Sequence, residues 1–481
     1  MSFIASFDIG TTQVKGILVS KDVKPYLEKD ISIRTDYQNG KMEQNADHWY
    51  QAVISILSYW FTQGIRAKDI ELITFSGQMQ DCIPVNKEGT PLCPAILYGD
   101  NRAAEQAVLL EQKLPIQAIT GNHMDGSLTF PKILWLKEQE TEVYQNTACF
   151  LMGSKDYVIR HLTGKCVIDP TTAATSGMMN IKTKKWQSKW LEAFGIDLNK
   201  LPEILSSDQI VGTVTNQASK ATGLLAGTPV LCGIGDGGSA SIGAGVFRAG
   251  EVYGYIGTTG WMATPVHEVL QSTKGLFHLP YIDDNQFLAI APLMNAGNVH
   301  KWAAHTFDSS YESFEQSVSS TDRSSNELLF LPYLNGERFP IQDVNASGCM
   351  IGMRSDTLPA DMGCAVLEGV AMAMRQVMEA ITDENKGALS LIGGGTKSKV
   401  WNQIMADVWN RVVKVPAESQ FFPAMGAVVL GAKILGWGID ATKFAKDFPF
   451  EIYMPNNIMV EHYNKKYKKF ELLYTQLKSI F

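Results

Sequence analysis

Five short stretches of this 481-residue sequence carry residue types suited to holding phosphate and moving a hydroxyl proton. In the first, Phe3 to Val19, two alternating apolar runs flank Gly10-Thr11-Thr12-Gln13. Gly10 lets backbone approach a bulky anion, Thr11 and Thr12 offer hydroxyl and N–H donors, and Asp8 supplies a carboxylate able to act through a hydrated magnesium ion. Most Gly-Thr-Thr turns are turns and nothing more. The second stretch, however, repeats the tip as Ile256-Gly257-Thr258-Thr259 between apolar runs, about half a chain later. Two anion-gripping turns, one from each half, can hold a nucleotide's phosphates from two sides, which one loop cannot do.

The third stretch, Val230 to Val246, is the richest in glycine and carries one acid, Asp236. A lone Asp in a Gly-rich turn is commonly a cap. Its place just before the second hairpin, where the two halves meet, makes it the candidate catalytic acid. The fourth is Ser76-Gly77-Gln78-Met79-Gln80-Asp81, which follows the apolar run Ile70 to Phe75. Gln78, Gln80 and Asp81 can hydrogen-bond a polyol or simply face water, and the ends of strands in α/β proteins are where ligands are met. Nearby, Asp100 and Arg102 suit hydroxyl recognition, or else form a surface ion pair worth little. The fifth stretch, Leu389 to Lys399, ends an apolar run in Gly393-Gly394-Gly395 at a helix start, where exposed N–H groups suit an adenosine or phosphate moiety. It does not fit G-x-G-x-x-G, so a dinucleotide site is disfavoured.

The elements that must position these residues follow from periodicity. The two Gly-Thr-Thr segments read as β-hairpins. Helical spacing of apolar residues covers Ala46 to Trp60, Leu128 to Gln139, Ser154 to Gly164, Met362 to Ile381 and Ala424 to Leu435. Asp236 reads as a loop residue ahead of a small-residue helix. His462 to Lys469 reads as a solvated helix face without function.

A chain of this length exceeds what one core usually grows to, so two domains are expected, 1–245 and 246–481. Hydrophobic residues at 45% and charged residues at 19% describe an ordinary globular composition, and a net charge of −7 gives no footprint for nucleic acid or an anionic membrane. No apolar run approaches the roughly 18 residues that span a bilayer, and Phe3 already begins the first strand, so a cytoplasmic protein is expected. Seven scattered cysteines without a Cys-x-x-Cys read as buried thiols, with neither a disulfide framework nor a zinc site.

Taken together, these stretches resemble the FGGY family of carbohydrate kinases over nearly the whole chain. Ser127 to Gln139 is similar to the family's first signature, and Gly348 to Met353 with Asp361 to Glu368 to its second. The order Asp-x-Gly-Thr, Gly-Gln-Met, Asp-x-Arg, Gly-Asp, Gly-Thr-Thr-Gly, Asn-Ala-Gly, Gly-Glu-Arg-x-Pro and Gly-Gly-Gly is also similar. The resemblance implies an α/β fold of two ribonuclease-H-like (actin-like ATPase) domains with an interdomain cleft. The N-terminal domain would bind the sugar and carry the base, and the C-terminal domain would bind the nucleotide. It implies transfer of the ATP γ-phosphoryl group, with Mg2+, to a sugar hydroxyl. By position, Asp236 would be the general base and Asp8 would lie near the metal and phosphates. Gly10, Thr11, Thr12, Gly257, Thr258 and Thr259 would meet phosphate. Gly394 and Gly395 would lie against adenosine, and Gln78, Met79, Asp100 and Arg102 would line the sugar pocket. A homodimer is common in such families.

The Gly77-Gln-Met loop resembles xylulokinases most, which points to a ketopentose such as D-xylulose, but their usual His after Met is Gln80 here. Val167 to Gly177 is similar to the family's gluconate kinases, for whose carboxylate substrate Arg102 is the one candidate cation. Two readings from other classes are an actin- or chaperone-type ATPase, for which no polymerisation or peptide-binding region is evident, and a silent sugar sensor, against which the retained Asp236 argues.

Overall fold

The apolar residues of Phe3–Ile9 leave no solvent-facing side: every position of this strand is buried, as a central strand covered on both faces requires. In the computed structural model it pairs antiparallel with Gln13–Ser20 and parallel with Ile70–Gly77. The structure describes residues 1–22, 24–38, 40–270, 275–283, 285–307, 310–382, 387–417, 419–438 and 449–481. These form two compact units. The first contains the described residues of Met1–Gly243, Phe277–Phe287 and Phe421–Ala445; the second contains those of Ala244–Leu276, Leu288–Gln420 and Lys446–Phe481. Neither unit is one continuous segment of chain.

The sheet of the first unit runs in the order Ile210–Thr213, Pro229–Leu231, Ile70–Gly77, Phe3–Ile9, Gln13–Ser20, Pro25–Ser32. Ile234–Gly235 adds parallel to the C-terminal end of Ile70–Gly77. The core packs Phe7, Trp49, Trp60, Phe75 and Tyr157, each contributing about 1.5–3 kcal/mol by leaving water. The helix Phe422–Ile434 is buried at every position from Phe422 to Ala432, which explains why its sequence shows no polar face. It packs on Phe3–Ile9, Ile70–Gly77 and the helix Asp236–Gly243. A Cβ on Gly426 would stand 1.9 Å from the Ser239 carbonyl oxygen, so this helix pair depends on backbone meeting backbone. Hydroxyls tie the layer further, with Ser6 Oγ donating to the Ala424 carbonyl at 2.7 Å.

In the second unit, read from the edge that corresponds to Pro25–Ser32, the order is Phe287–Leu293, Gly260–Val266, Tyr253–Ile256, Leu389–Ile392, Val413–Pro416, Phe450–Tyr453. Tyr253–Ile256 is antiparallel to Gly260–Val266 and parallel to Leu389–Ile392, and the Phe450–Tyr453 edge is antiparallel. Strand for strand this repeats the first sheet. The repeated Ile-Gly-Thr-Thr tip is therefore the visible remnant of a repeated supersecondary plan.

Three expectations need correction. Lys466 does not lie on a solvated face: in the helix Asn457–Leu477 it is buried and ion-paired with buried Glu368, which also accepts from Tyr463 Oη at 2.8 Å. A buried acid some hundred residues away captures the ammonium. Asp236 is the first residue of its helix, not a loop residue before it. All seven cysteines are free thiols, but Cys93, Cys166 and Cys349 are only partly buried. Among the described residues no helix is long and apolar enough to cross a membrane.

Candidate active site

Register brings the candidate residues of the first unit to one edge of its sheet. Asp8 pairs with Ser76 and Ile9 with Gly77, while Ile234 and Gly235 take the same two partners from the other side. Three parallel strands therefore end level, delivering Gly10, Gln78 and Asp236 to their common C-terminal edge, where such sheets bind ligands. The short strand Ile234–Gly235 is held from behind. Lys155, fully buried, binds Asp156 at 2.7 Å and Asp169 at 2.8 Å, and Asp169 Oδ2 accepts from the Gly235 N–H at 3.4 Å. Neither Lys155 nor Asp169 is a candidate from the sequence. The available signal is Asp169-Pro170-Thr171-Thr172, a capping sequence in which Asp169 accepts from the Thr172 N–H.

Asp236 is partly buried, and its Oδ1 accepts from the Gly237 N–H at 2.7 Å. Burial first, and the neighbouring Asp8 charge second, push its carboxyl up to about 7. A carboxyl poised there can take a proton near neutrality. Asp8 is buried, accepts from Ser76 Oγ at 2.9 Å and pairs across the hairpin with Lys15. Burial raises its pKa, while Lys15 and Ser76 pull the other way.

The tip residues divide. Gly10 N–H donates to the Gln13 carbonyl at 3.1 Å, closing the turn, and Thr12 is exposed. Thr11 Oγ1 donates to Gln78 Oε1 at 2.6 Å, which ties this hydroxyl to the Gln78 loop. Gln44 accepts from Gln78 Nε2 at 3.3 Å and from Trp49 Nε1 at 3.0 Å, and donates to the Thr11 carbonyl at 2.6 Å. Gln44 thus joins the hairpin tip to the loop, and no sequence motif marks it. Met79 is partly exposed. A Cβ on Gly235 would stand 2.2 Å from its sulfur, so glycine before Asp236 makes room for Met79.

Asp100 and Arg102 do not form a surface pair. Asp100 is fully buried and Arg102 is 9% exposed. Arg102 Nε and Nη2 grip Asp100 at 2.8 and 2.6 Å, and Nη2 also reaches Glu43 at 2.6 Å. Asp100 Oδ2 accepts from the Met42 N–H at 2.7 Å as well. Residues 42–44 therefore serve both groups, with Gln44 on the hairpin tip and Met42 and Glu43 on Asp100 and Arg102. Two carboxylates against one guanidinium leave this cluster without a net positive charge.

In the second unit, the tip closes through the Gly257 N–H to the Thr259 carbonyl at 2.8 Å. Thr258 is exposed and Thr259 partly so. The Asn295-Ala-Gly-Asn298 turn clips onto it: the Gly297 N–H donates to the Gly257 carbonyl at 3.1 Å and the Asn298 N–H to the Thr258 carbonyl at 2.9 Å. The Gly-rich loop is brought to the same strand end. Gly393 has φ +100 and lies so near the Ile256 carbonyl oxygen that a Cβ would stand 2.4 Å from it. Gly394 is exposed with open space beside it, and Gly395 packs on Ile256 and Trp401. Glu337, of the Gly-Glu-Arg-x-Pro segment, accepts from the Met294 and Arg338 N–H groups at 2.6 and 2.8 Å, and burial pushes it up to about 7.

The donor set fits a hydrated magnesium ion, which asks for one or two carboxylates with water and phosphate. Asp8 supplies such a carboxylate, and among the described residues no group of three or more His, Cys, Asp or Glu forms a protein-only metal cage.

Two repeated α/β units, each ending a hairpin and a parallel strand at one glycine-rich edge, define a two-domain phosphotransferase of the actin-like class. Residues 3–243 match the FGGY family of carbohydrate kinases, N-terminal domain, and residues 252–435 its C-terminal domain. The chain belongs to the FGGY family of carbohydrate kinases, and it is an ATP-dependent kinase that phosphorylates an alcohol group of a sugar. It is 31% identical to a xylulose kinase of Bacillus subtilis (strain 168), over 100% of this chain and 98% of that one. The structure of ligand-bound xylulose kinase from Lactobacillus acidophilus superposes with a TM-score of 0.91 at 27% identity, covering 100% of this chain and 99% of that chain. The gluconate kinase from the same organism gives the same TM-score, identity and coverage. Fold likeness therefore does not separate the two substrate classes, and the pocket has to.

Proposed function

We propose that the protein phosphorylates a neutral ketopentose, D-xylulose being the first candidate, with Asp236 as general base. The observation that carries the choice of substrate is the Arg102 cluster. An aldonate needs an uncommitted cation, whereas Arg102 is already gripped by Asp100 and Glu43. Lys132 gives its N–H groups to three backbone carbonyls, and Lys155 is paired with Asp156 and Asp169. The 31% identity to the B. subtilis xylulose kinase supports the same choice.

In this reading the first unit holds the sugar through Gln78, Met79, Asp100 and Arg102. The second holds the nucleotide through Gly257, Thr258, Thr259, Gly394 and Gly395, while Gly10, Thr11 and Thr12 supply further phosphate donors. Asp236 accepts the proton of the acceptor hydroxyl while that oxygen bonds to the γ-phosphorus and the bond to the β-phosphate oxygen breaks. Base help of this kind is worth about 10²–10⁴-fold. Asp8 would hold Mg2+, which when bound neutralises charge on the phosphates.

Turnover of Mg-ATP measured with ketopentoses, polyols and aldonates, and with none, tests this. D-xylulose should be turned over and gluconate should not. ATP hydrolysis at the same rate without sugar would instead mark a nucleotide-driven ATPase.

A further inference from the structure

We propose that Asp81 is a specificity-determining residue of the acceptor pocket, its carboxyl hydrogen-bonding one hydroxyl of the neutral sugar. This rests on the carbohydrate-kinase reading above and names a contact which that reading does not contain. Asp81 is fully buried, and its main chain is fixed on both sides: its N–H donates to the Met152 carbonyl at 3.0 Å, and its carbonyl accepts from Thr129 Oγ1 at 3.0 Å. Its side chain is different. Among the described residues neither carboxylate oxygen has a hydrogen-bond partner, a rare condition for a buried polar group.

No described residue supplies that partner. Lys132 is the near cation, but its Nζ is spent on the Gln80, Leu97 and Ser127 carbonyls at 2.8, 2.7 and 2.7 Å, and an ammonium has only three donors. Gln78 lies near without a hydrogen bond of normal geometry to Asp81. The loop is nevertheless held in a costly shape. Gln80 has φ +67, a left-handed backbone that non-glycine residues seldom adopt, and the Lys132 bond to its carbonyl maintains it. Asp81 lies two residues after Met79 in the loop that leaves the strand Ile70–Gly77, within electrostatic reach of Asp236. Burial pushes its carboxyl well above the usual carboxylate range, so it can both donate and accept. The carboxyl is thus held by its backbone and left unsatisfied, within electrostatic reach of the group that would meet the acceptor hydroxyl.

The test compares Asp81→Leu, which keeps the bulk but not the hydrogen bonds, with Asp81→Asn, which keeps both. Steady-state constants are measured for D-xylulose and its monodeoxy analogues with Mg-ATP, and thermal midpoints for each protein. Asp81→Leu should raise the KM for D-xylulose about tenfold or more, roughly the worth of one buried hydrogen bond, while the KM for ATP and the midpoint stay near wild type. It should also lose discrimination against one of the monodeoxy sugars. Asp81→Asn should remain within about threefold of wild type. The inference is overturned if Asp81→Leu leaves the sugar KM within twofold, or if Asp81→Asn is as impaired as Asp81→Leu. It is overturned too if the sugar KM, ATP KM and midpoint all worsen together, the mark of a packing residue. Should Asp81→Leu not fold, Asp81→Ala is read by the same criteria. A wild-type protein inactive on every sugar would refute the kinase reading itself and is told apart by that result.

Discussion

Asp8 and Asp236 stand at strand ends on either side of Ile70–Gly77, and the charge of Asp8 is, after burial, the second cause holding the Asp236 carboxyl up to about 7. Two acids placed so that one keeps the other protonated near neutrality is a common way to tune a general base. The base form of Asp236 therefore fills as pH rises through about 7, and kcat/KM should rise over that range and level above it. Asp8→Asn removes the like charge, so the acid limb of the pH profile should move to lower pH, by less than the full elevation because burial is the leading cause. A limb that stays in place or moves upward would contradict this coupling.

The same elevation has a consequence for stability. A carboxyl whose folded pKa of about 7 exceeds its ordinary 3.8 contributes stability below about pH 3.8 and loses it as pH rises through about 7. Asp236→Asn does not titrate. In calorimetric melts of the ligand-free protein, its advantage in midpoint over wild type should be larger at pH 8 than at pH 5. An advantage independent of pH would mean that Asp236 is not perturbed.

Arg102 is where geometry, beyond charge, should matter. Arg102→Lys keeps the charge but cannot span Asp100 and Glu43 with a planar fork. Denaturant unfolding should show a loss of about 1–3 kcal/mol, and the KM for the sugar should rise more than that for ATP. Unchanged stability would return the pair to the rank of an incidental contact.

Much of this arrangement is legible in the sequence because it is local. The hairpins announce themselves by period-two apolar runs around Gly-Thr-Thr, and the tight helix pair by the glycines of Asp236–Gly243 and Phe422–Ile434. The contacts that escape are those between distant residues without a shared motif. Glu43 with Arg102, Gln44 with Gln78, Lys155 with Asp169 and Lys466 with Glu368 are each drawn together by burial, which forces a charge or amide to find a partner wherever the fold offers one. Lys132 shows the limit well. The helical spacing of Leu128 to Gln139 does not mark it, yet it is fully buried and holds three carbonyls of the loops around the site.

The single-turnover rate of phosphoryl transfer from Mg-ATP to D-xylulose by Asp236→Asn, measured beside calorimetric binding of each substrate, tests the central claim most directly. With Asp236 as the base, the rate should fall at least about 100-fold while both dissociation constants stay within about threefold of wild type. A rate within tenfold of wild type, or a loss accounted for by weaker binding alone, would contradict it.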